Sequence, residues 1–171
     1  MSTTGSRRVE LTLPADDQIL MTRELTAAPP LVYRAWTEPE LVAQWWPSSR
    51  GTMLVAEIDL RVGGRWRWVM RAGEGFEVGF HGEYLEIVPD QRLVHTEVFE
   101  GAPGTPEEAE ANATDNTIEF LPLDGGGTLV RMLTVCPSRE IRDIIVQSGM
   151  EAGVQDGMAL LDELTQRLAE A

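Results

Sequence analysis

Between residues 65 and 71 the chain alternates with a period of two. Trp66, Trp68 and Met70 point one way, and Arg65, Arg67 and Arg71 point the other. Successive side chains of a strand face opposite sides of a sheet, so this segment is a strand with an aromatic face and a basic face. Strand patterns continue on both sides of it, over 53–61, 76–88, 92–99, 116–123 and 128–136. Gly63-Gly64, residues 72–75, Pro89-Asp90 and the run Asp124-Gly125-Gly126-Gly127 supply the turns between them. The long strand 76–88 is expected to bulge at Gly79 or Gly82. Upstream, 18–25 reads as a strand with mixed faces, and Val9, Leu11 and Leu13 permit a loose first one.

Helical spacing appears in two places. After 18–25, Thr26 is positioned to cap a short helix that has Pro29 and Pro30 in its opening turn and Leu31, Val32, Ala35 and Trp36 on its apolar face. Thr37 and Glu40 then stand in capping-box spacing for a second helix with the stripe Leu41, Val42, Trp45 and Trp46, stopped by Pro47. At the end of the chain Ser138 caps 139–147. The longer helix 150–169 follows, with Val154, Met158, Leu161, Leu164 and Leu168 near helical spacing and glycines at 149, 153 and 157 along one edge. Residues 100–111 are acidic and rich in glycine and proline and read as a mobile loop.

This order predicts an α+β helix-grip architecture. A curved antiparallel sheet of about six or seven strands wraps a long C-terminal helix, with two short helices after the first strand. Residues 9–171 form the single domain and 1–8 a disordered tail.

Composition narrows the function. Acidic residues number 28 against 14 basic ones, a formal charge of −14, which repels phosphate backbones and argues against nucleic acid and anionic membranes as partners. No apolar run of membrane-spanning length is present, and a cytoplasmic location is the expectation. The lone Cys136 cannot form an internal disulfide and is expected to be buried and inert. With two histidines, His81 and His95, a structural zinc site is not expected. Phosphate-loop, nucleophile-elbow, zinc-helix and dinucleotide fingerprints are missing, and no cofactor is called for.

Several strings, in their order, resemble the activator of heat-shock-protein-90 ATPase homologue family within the START-like helix-grip superfamily. They include Thr22-Arg23-Glu24, Leu31-Val32-Tyr33-Arg34-Ala35-Trp36-Thr37, Trp45-Trp46, Glu57-Ile58-Asp59-Leu60-Arg61 and Gly63-Gly64-Arg65-Trp66-Arg67. Gly82-Glu83-Tyr84-Leu85-Glu86-Ile87-Val88-Pro89 and Gly149-Met150-Glu151-Ala152-Gly153 continue the series, and the resemblance spans about 19–168. It implies the helix-grip fold and the binding of hydrophobic ligands. The eukaryotic name-giving protein stimulates a chaperone ATPase with a further N-terminal domain, so that activity is not carried over. The family often places tryptophan where this chain has Val154, and an aromatic where it has Cys136, which alters the cavity's shape and leaves the fold untouched.

The candidate ligand-binding residues are Trp46, Trp66, Trp68, Met70, Tyr84, His95, Glu97, Phe99, Met132, Met150, Val154 and Met158. Indoles offer broad apolar area with one N–H each, and thioethers adapt to varied shapes. The tryptophans and methionines also read as ordinary core. His95 and Glu97 share a strand face with Leu93 and Phe99; with Tyr84 they make a possible acid–base set on an enolisable substrate, and equally a hydrogen-bonded pair or a buried phenol held by backbone. His81 and Glu83 raise the same question one strand earlier. The basic stripe Arg65, Arg67 and Arg71 reads as a solvated face with cross-strand glutamates. Three functions follow: a non-catalytic receptor for a hydrophobic or aromatic small molecule, a cyclase-like enzyme in the same cavity, or a chaperone-associated interaction module, with a homodimer possible in each case.

Overall fold

The computed structural model describes residues 8–73 and 75–171, so of the expected tail only Arg8 is seen and 1–7 lie outside the described residues. Eight strands form one curved antiparallel sheet. They are β1 (Glu10–Thr12), β2 (Gln18–Leu25), β3 (Gly51–Ile58), β4 (Arg65–Ala72), β5 (Glu77–Val88), β6 (Arg92–Glu100), β7 (Thr114–Pro122) and β8 (Thr128–Val135), in the order β1-β2-β8-β7-β6-β5-β4-β3. Every neighbouring pair is antiparallel.

Helices α1 (Pro29–Thr37) and α2 (Pro39–Val42) follow β2; α4 (Arg139–Gln147) and α5 (Met150–Glu170) end the chain. The sequence expectations hold in outline and shift in detail. Thr26 does not cap α1. The cap position is Ala28, without a side-chain bond, and the Thr26 N–H is taken by the Asp162 carboxylate of α5 at 3.0 Å. Thr37 does not cap α2 either; its hydroxyl donates back to the Tyr33 carbonyl at 2.8 Å, and α2 ends at Val42, leaving Trp45 and Trp46 in the turn beyond it.

The bulge in β5 lies between Tyr84 and Glu86. It is absent from Gly82, whose missing Cβ serves packing: a Cβ there would sit 1.9 Å from the Thr96 carbonyl oxygen and 2.6 Å from Trp66 Nε1. Residues 100–111 are not loop throughout. Thr105 and Glu108 form a reciprocal capping box that starts α3 (Pro106–Ala111), a helix with no buried residue.

The core lies between the concave sheet face and the helices. Ile19, Val32, Val42, Val130 and Leu161 are fully buried there. Arg23 of β2 and Asp162 of α5 form a buried ion pair at 3.8 Å that locks the helix's second half to the sheet. The outer face of β4 is exposed as expected: Arg67 forms a bidentate pair with Glu100, and Arg65 and Arg71 stand across from Glu83 and Glu77. Cys136 is buried, and burial raises its thiol's pKa, so it carries little nucleophilic thiolate.

Candidate functional site

Helix α5 has two unlike halves. From Gly157 onward it is packed: Met158, Leu161, Leu164 and Thr165 are at most 3% exposed, and a Cβ at Gly157 would lie 3.3 Å from the Trp45 carbonyl oxygen. Before Gly157 it is less deeply buried, although Gln155 pairs with the Val9 backbone and Asp156 with Ser49. Met150 and Val154 are half-buried, and a Cβ at Gly153 would meet nothing within 4 Å. Gly149, in the left-handed region at φ 82°, separates this half from α4.

The concave face carries an aromatic wall. Phe99 meets Phe80 (ring centroids 5.3 Å apart), Phe80 meets Trp46 (5.9 Å), Trp46 meets Trp68 (5.6 Å) and Trp68 meets Trp66 (5.2 Å). Trp66 in turn stands edge-to-face to the His95 ring at 5.1 Å, and Tyr84 lies 6.2 Å beyond. Among the expected ligand-binding residues, Trp66, Trp68, Tyr84, Met132 and Met158 are buried. Trp46, Met70, His95, Glu97, Met150 and Val154 are half-buried, and Phe99 at the rim is 45% exposed. The indoles and thioethers therefore fill part of the concave side and leave the region of β6 less tightly packed.

A polar patch interrupts this wall. His95 stands opposite Asn116, Glu97 opposite Thr114, and Asn116 opposite Thr134, which places all five on the inner face of β6, β7 and β8. The Thr134 hydroxyl donates to Asn116 Oδ1 at 2.8 Å, and Asn116 Nδ2 donates to the Thr114 hydroxyl at 2.9 Å. The sequence reading missed Thr114, Asn116 and Thr134. Their shared parity with Ile118 and Val130 was the available signal, but alternation within one strand does not say which residues of other strands stand beside it.

Burial pushes the Glu97 carboxyl up to about 7 and the His95 imidazole down to about 4, where a bond from the ring to the Thr96 carbonyl only partly opposes it. Both residues nevertheless keep accessible area. Both groups thus combine a poorly hydrated setting with residual exposure. At neutral pH His95 is uncharged; Nδ1–H donates to the Thr96 oxygen at 3.0 Å, which leaves Nε2 as an open acceptor.

Glu97 makes no hydrogen bond or ion pair with any described residue. The Tyr84 hydroxyl, whose pKa is raised by burial, is bonded neither to backbone nor to side chain among them. Trp45 satisfies its indole on the Ala35 carbonyl at 2.9 Å, whereas the buried N–H groups of Trp66 and Trp68 find no partner among the described residues. Unpaired buried polar atoms are uncommon in folded proteins, and the two on the neighbouring Trp66 and Trp68 indoles distinguish this part of the wall.

His81 and Glu83 point outward, away from this patch. His81 instead touches two carboxylates, Glu100 at 2.8 Å and Glu110 of α3 at 3.0 Å, beside an outer groove of about 590 Å³. Among the described residues no three His, Cys, Asp or Glu side chains are grouped to hold a metal ion.

A curved sheet gripping one long helix, with unpaired polar atoms set in an aromatic wall, defines a helix-grip domain compatible with ligand binding. The chain belongs to the family described as Activator of Hsp90 ATPase homolog 1-like protein, whose family model matches residues 26–168. Among solved structures, a protein from Rhodobacter sphaeroides is 24% identical with a TM-score of 0.83, the match covering 94% of this chain and 99% of that one. A Chromobacterium violaceum protein is 30% identical (TM-score 0.73, 88% and 98% covered), and one from Nitrosomonas europaea is 25% identical (TM-score 0.79, 93% and 100% covered). No curated protein matches this chain.

Proposed function

We propose that this protein is a receptor for a hydrophobic, aromatic small molecule, held between the concave sheet and the first half of α5, and that it binds without catalysing a reaction. The observation that carries this reading is the set of unpaired polar atoms on Trp66, Trp68, Tyr84, His95 and Glu97 within a wall of aromatic rings. Such sites are mostly apolar, with a few polar groups that fix orientation. No described helix is long and apolar enough to cross a membrane, and we place the receptor in the cytoplasm. The first-half position of the space makes Val154 its gatekeeper. Val154→Trp is expected to fill it, weakening binding of a naphthalene-type probe at least tenfold in isothermal titration without lowering the melting temperature. Unchanged affinity in that variant would remove the site from beneath α5.

One observation favours a second reading. A glutamic acid that titrates near neutrality, two residues from a neutral histidine on the same face, is suited to proton transfer. Tyr84, His95 and Glu97 would then act on an enolisable substrate. Enolate formation is testable by deuterium exchange at the α-carbon of bound ketones; exchange that survives in Glu97→Gln counts against it.

A further inference from the structure

The unpaired atoms do not ask for the same kind of partner. Trp66 Nε1 is a pure donor, buried in a residue only 4% exposed, and needs an acceptor. Its position is fixed by Gly82, over which it lies so closely that a Cβ would come within 2.6 Å. His81 pairs with Val98 and Tyr84 with His95, so Gly82 faces Glu97 across the two strands. The indole nitrogen thereby lies beside the stretch of β6 that carries Thr96 and Glu97, with the His95 ring 5.1 Å from its own. The open Nε2 of His95 needs a donor, and so does Glu97 once it has lost its proton.

Of the common polar groups, a carbonyl or ether accepts from the indole but leaves the His95 Nε2 and an ionised Glu97 unmet, and an ammonium leaves the indole unmet. A hydroxyl does both, accepting from Trp66 and donating to the carboxyl or the imidazole. The remaining surroundings are rings: Trp68, Trp46, Phe80 and Tyr84. Resting on the receptor reading above, we infer that the ligand is a phenol, an aromatic ring system whose hydroxyl bridges Trp66 Nε1 and Glu97 while its rings lie against the aromatic wall. The bridge replaces hydration that two buried groups lack, so it selects among molecules of equal hydrophobicity.

The test uses 2-naphthol, its methyl ether and naphthalene on the full chain at pH 8, where Glu97 is ionised. The ether accepts but cannot donate, and naphthalene does neither. Affinities are read by NMR titration, with the Trp66 indole N–H signal identified by its loss in Trp66→Phe. We expect 2-naphthol to bind at least tenfold more tightly than the ether, to move the Trp66 signal, and to lose that preference to within twofold in Glu97→Ala. Trp66→Phe, which keeps the ring and loses the donor, should narrow the preference as well. Equal affinity for all three probes, or a naphthol preference that survives in both variants, overturns the phenol and leaves the receptor standing. Failure of every probe to bind overturns the receptor and the phenol with it.

Discussion

Glu97 and His95 pull the pH dependence of folding in opposite directions. The Glu97 carboxyl holds its proton up to about 7 when folded, against an ordinary 4.5. Between those values the folded protein binds more protons than the unfolded chain, so stability falls as pH rises, and the loss is complete above about 7. His95 has the reverse displacement, from 6.5 down to about 4, so its contribution is lost as pH falls through that range. The two slopes offset each other over the shared interval from 4.5 to 6.5. Glu97→Gln removes one of them: its stability should rise with pH across that interval and exceed wild type at pH 8 by on the order of 1–2 kcal/mol, less than the full displacement because the carboxyl retains some water contact. Urea denaturation at pH 5 and pH 8 checks both the sign and the size. That these residues share a face was legible from alternation alone, as was the outward basic stripe. The chain of Thr134, Asn116 and Thr114 was not, because strand order decides it and β8 returns between β2 and β7. Thr26 misled for a similar reason: its N–H is claimed by Asp162, 136 residues away.

Among the elements, α5 is docked by its buried second half, by Gln155 on the Val9 backbone and by one buried charge pair. Replacing Asp162 leaves the Arg23 guanidinium, whose side chain is 4% exposed, without its carboxylate. Asp162→Ala should cost about 3 kcal/mol, and combining it with Arg23→Met should recover much of that, as read from denaturant midpoints. Helix α3 is held differently. It buries nothing, and Glu110 reaches His81, whose other nitrogen faces Glu100; Glu100 also holds Arg67, and Glu57 and Arg65 line the same groove. A ring with a carboxylate at each nitrogen is bonded at both ends only as imidazolium. Burial works against that proton, but the bonds to Glu110 and Glu100 outweigh it, so the His81 pKa is raised above 6.5. The clasp is complete below 6.5 and is lost as pH climbs through the folded value. His81→Ala should speed amide exchange in 106–111 at pH 6, with the unfolding midpoint nearly unchanged. Sequence contained the start of this helix in Thr105 and Glu108, but with no apolar face to bury, periodicity offered nothing to confirm it.

At the scale of the molecule, the fold was the more legible part. Alternation marked nearly every strand, glycine-rich turns separated them, and the final helix declared itself by spacing. What spacing did not disclose is that α5 is deeply buried along its second half and only partly along its first. That division comes from Gly157 lying against Trp45 while Gly153 faces open space, a difference between two identical residues that only their neighbours create. The aromatic wall has an optical consequence. Trp68 lies 5.2 Å from Trp66, 5.6 Å from Trp46 and 6.4 Å from Trp45, which is itself 4.7 Å from Trp36. All five indoles are thus joined through a single hub, close enough for excitation to pass among them before any one emits. A quenching molecule lodged beside Trp66 would darken the whole set, so the protein carries its own fluorescent gauge of occupancy, and replacing the hub with phenylalanine would divide that gauge into separate lamps.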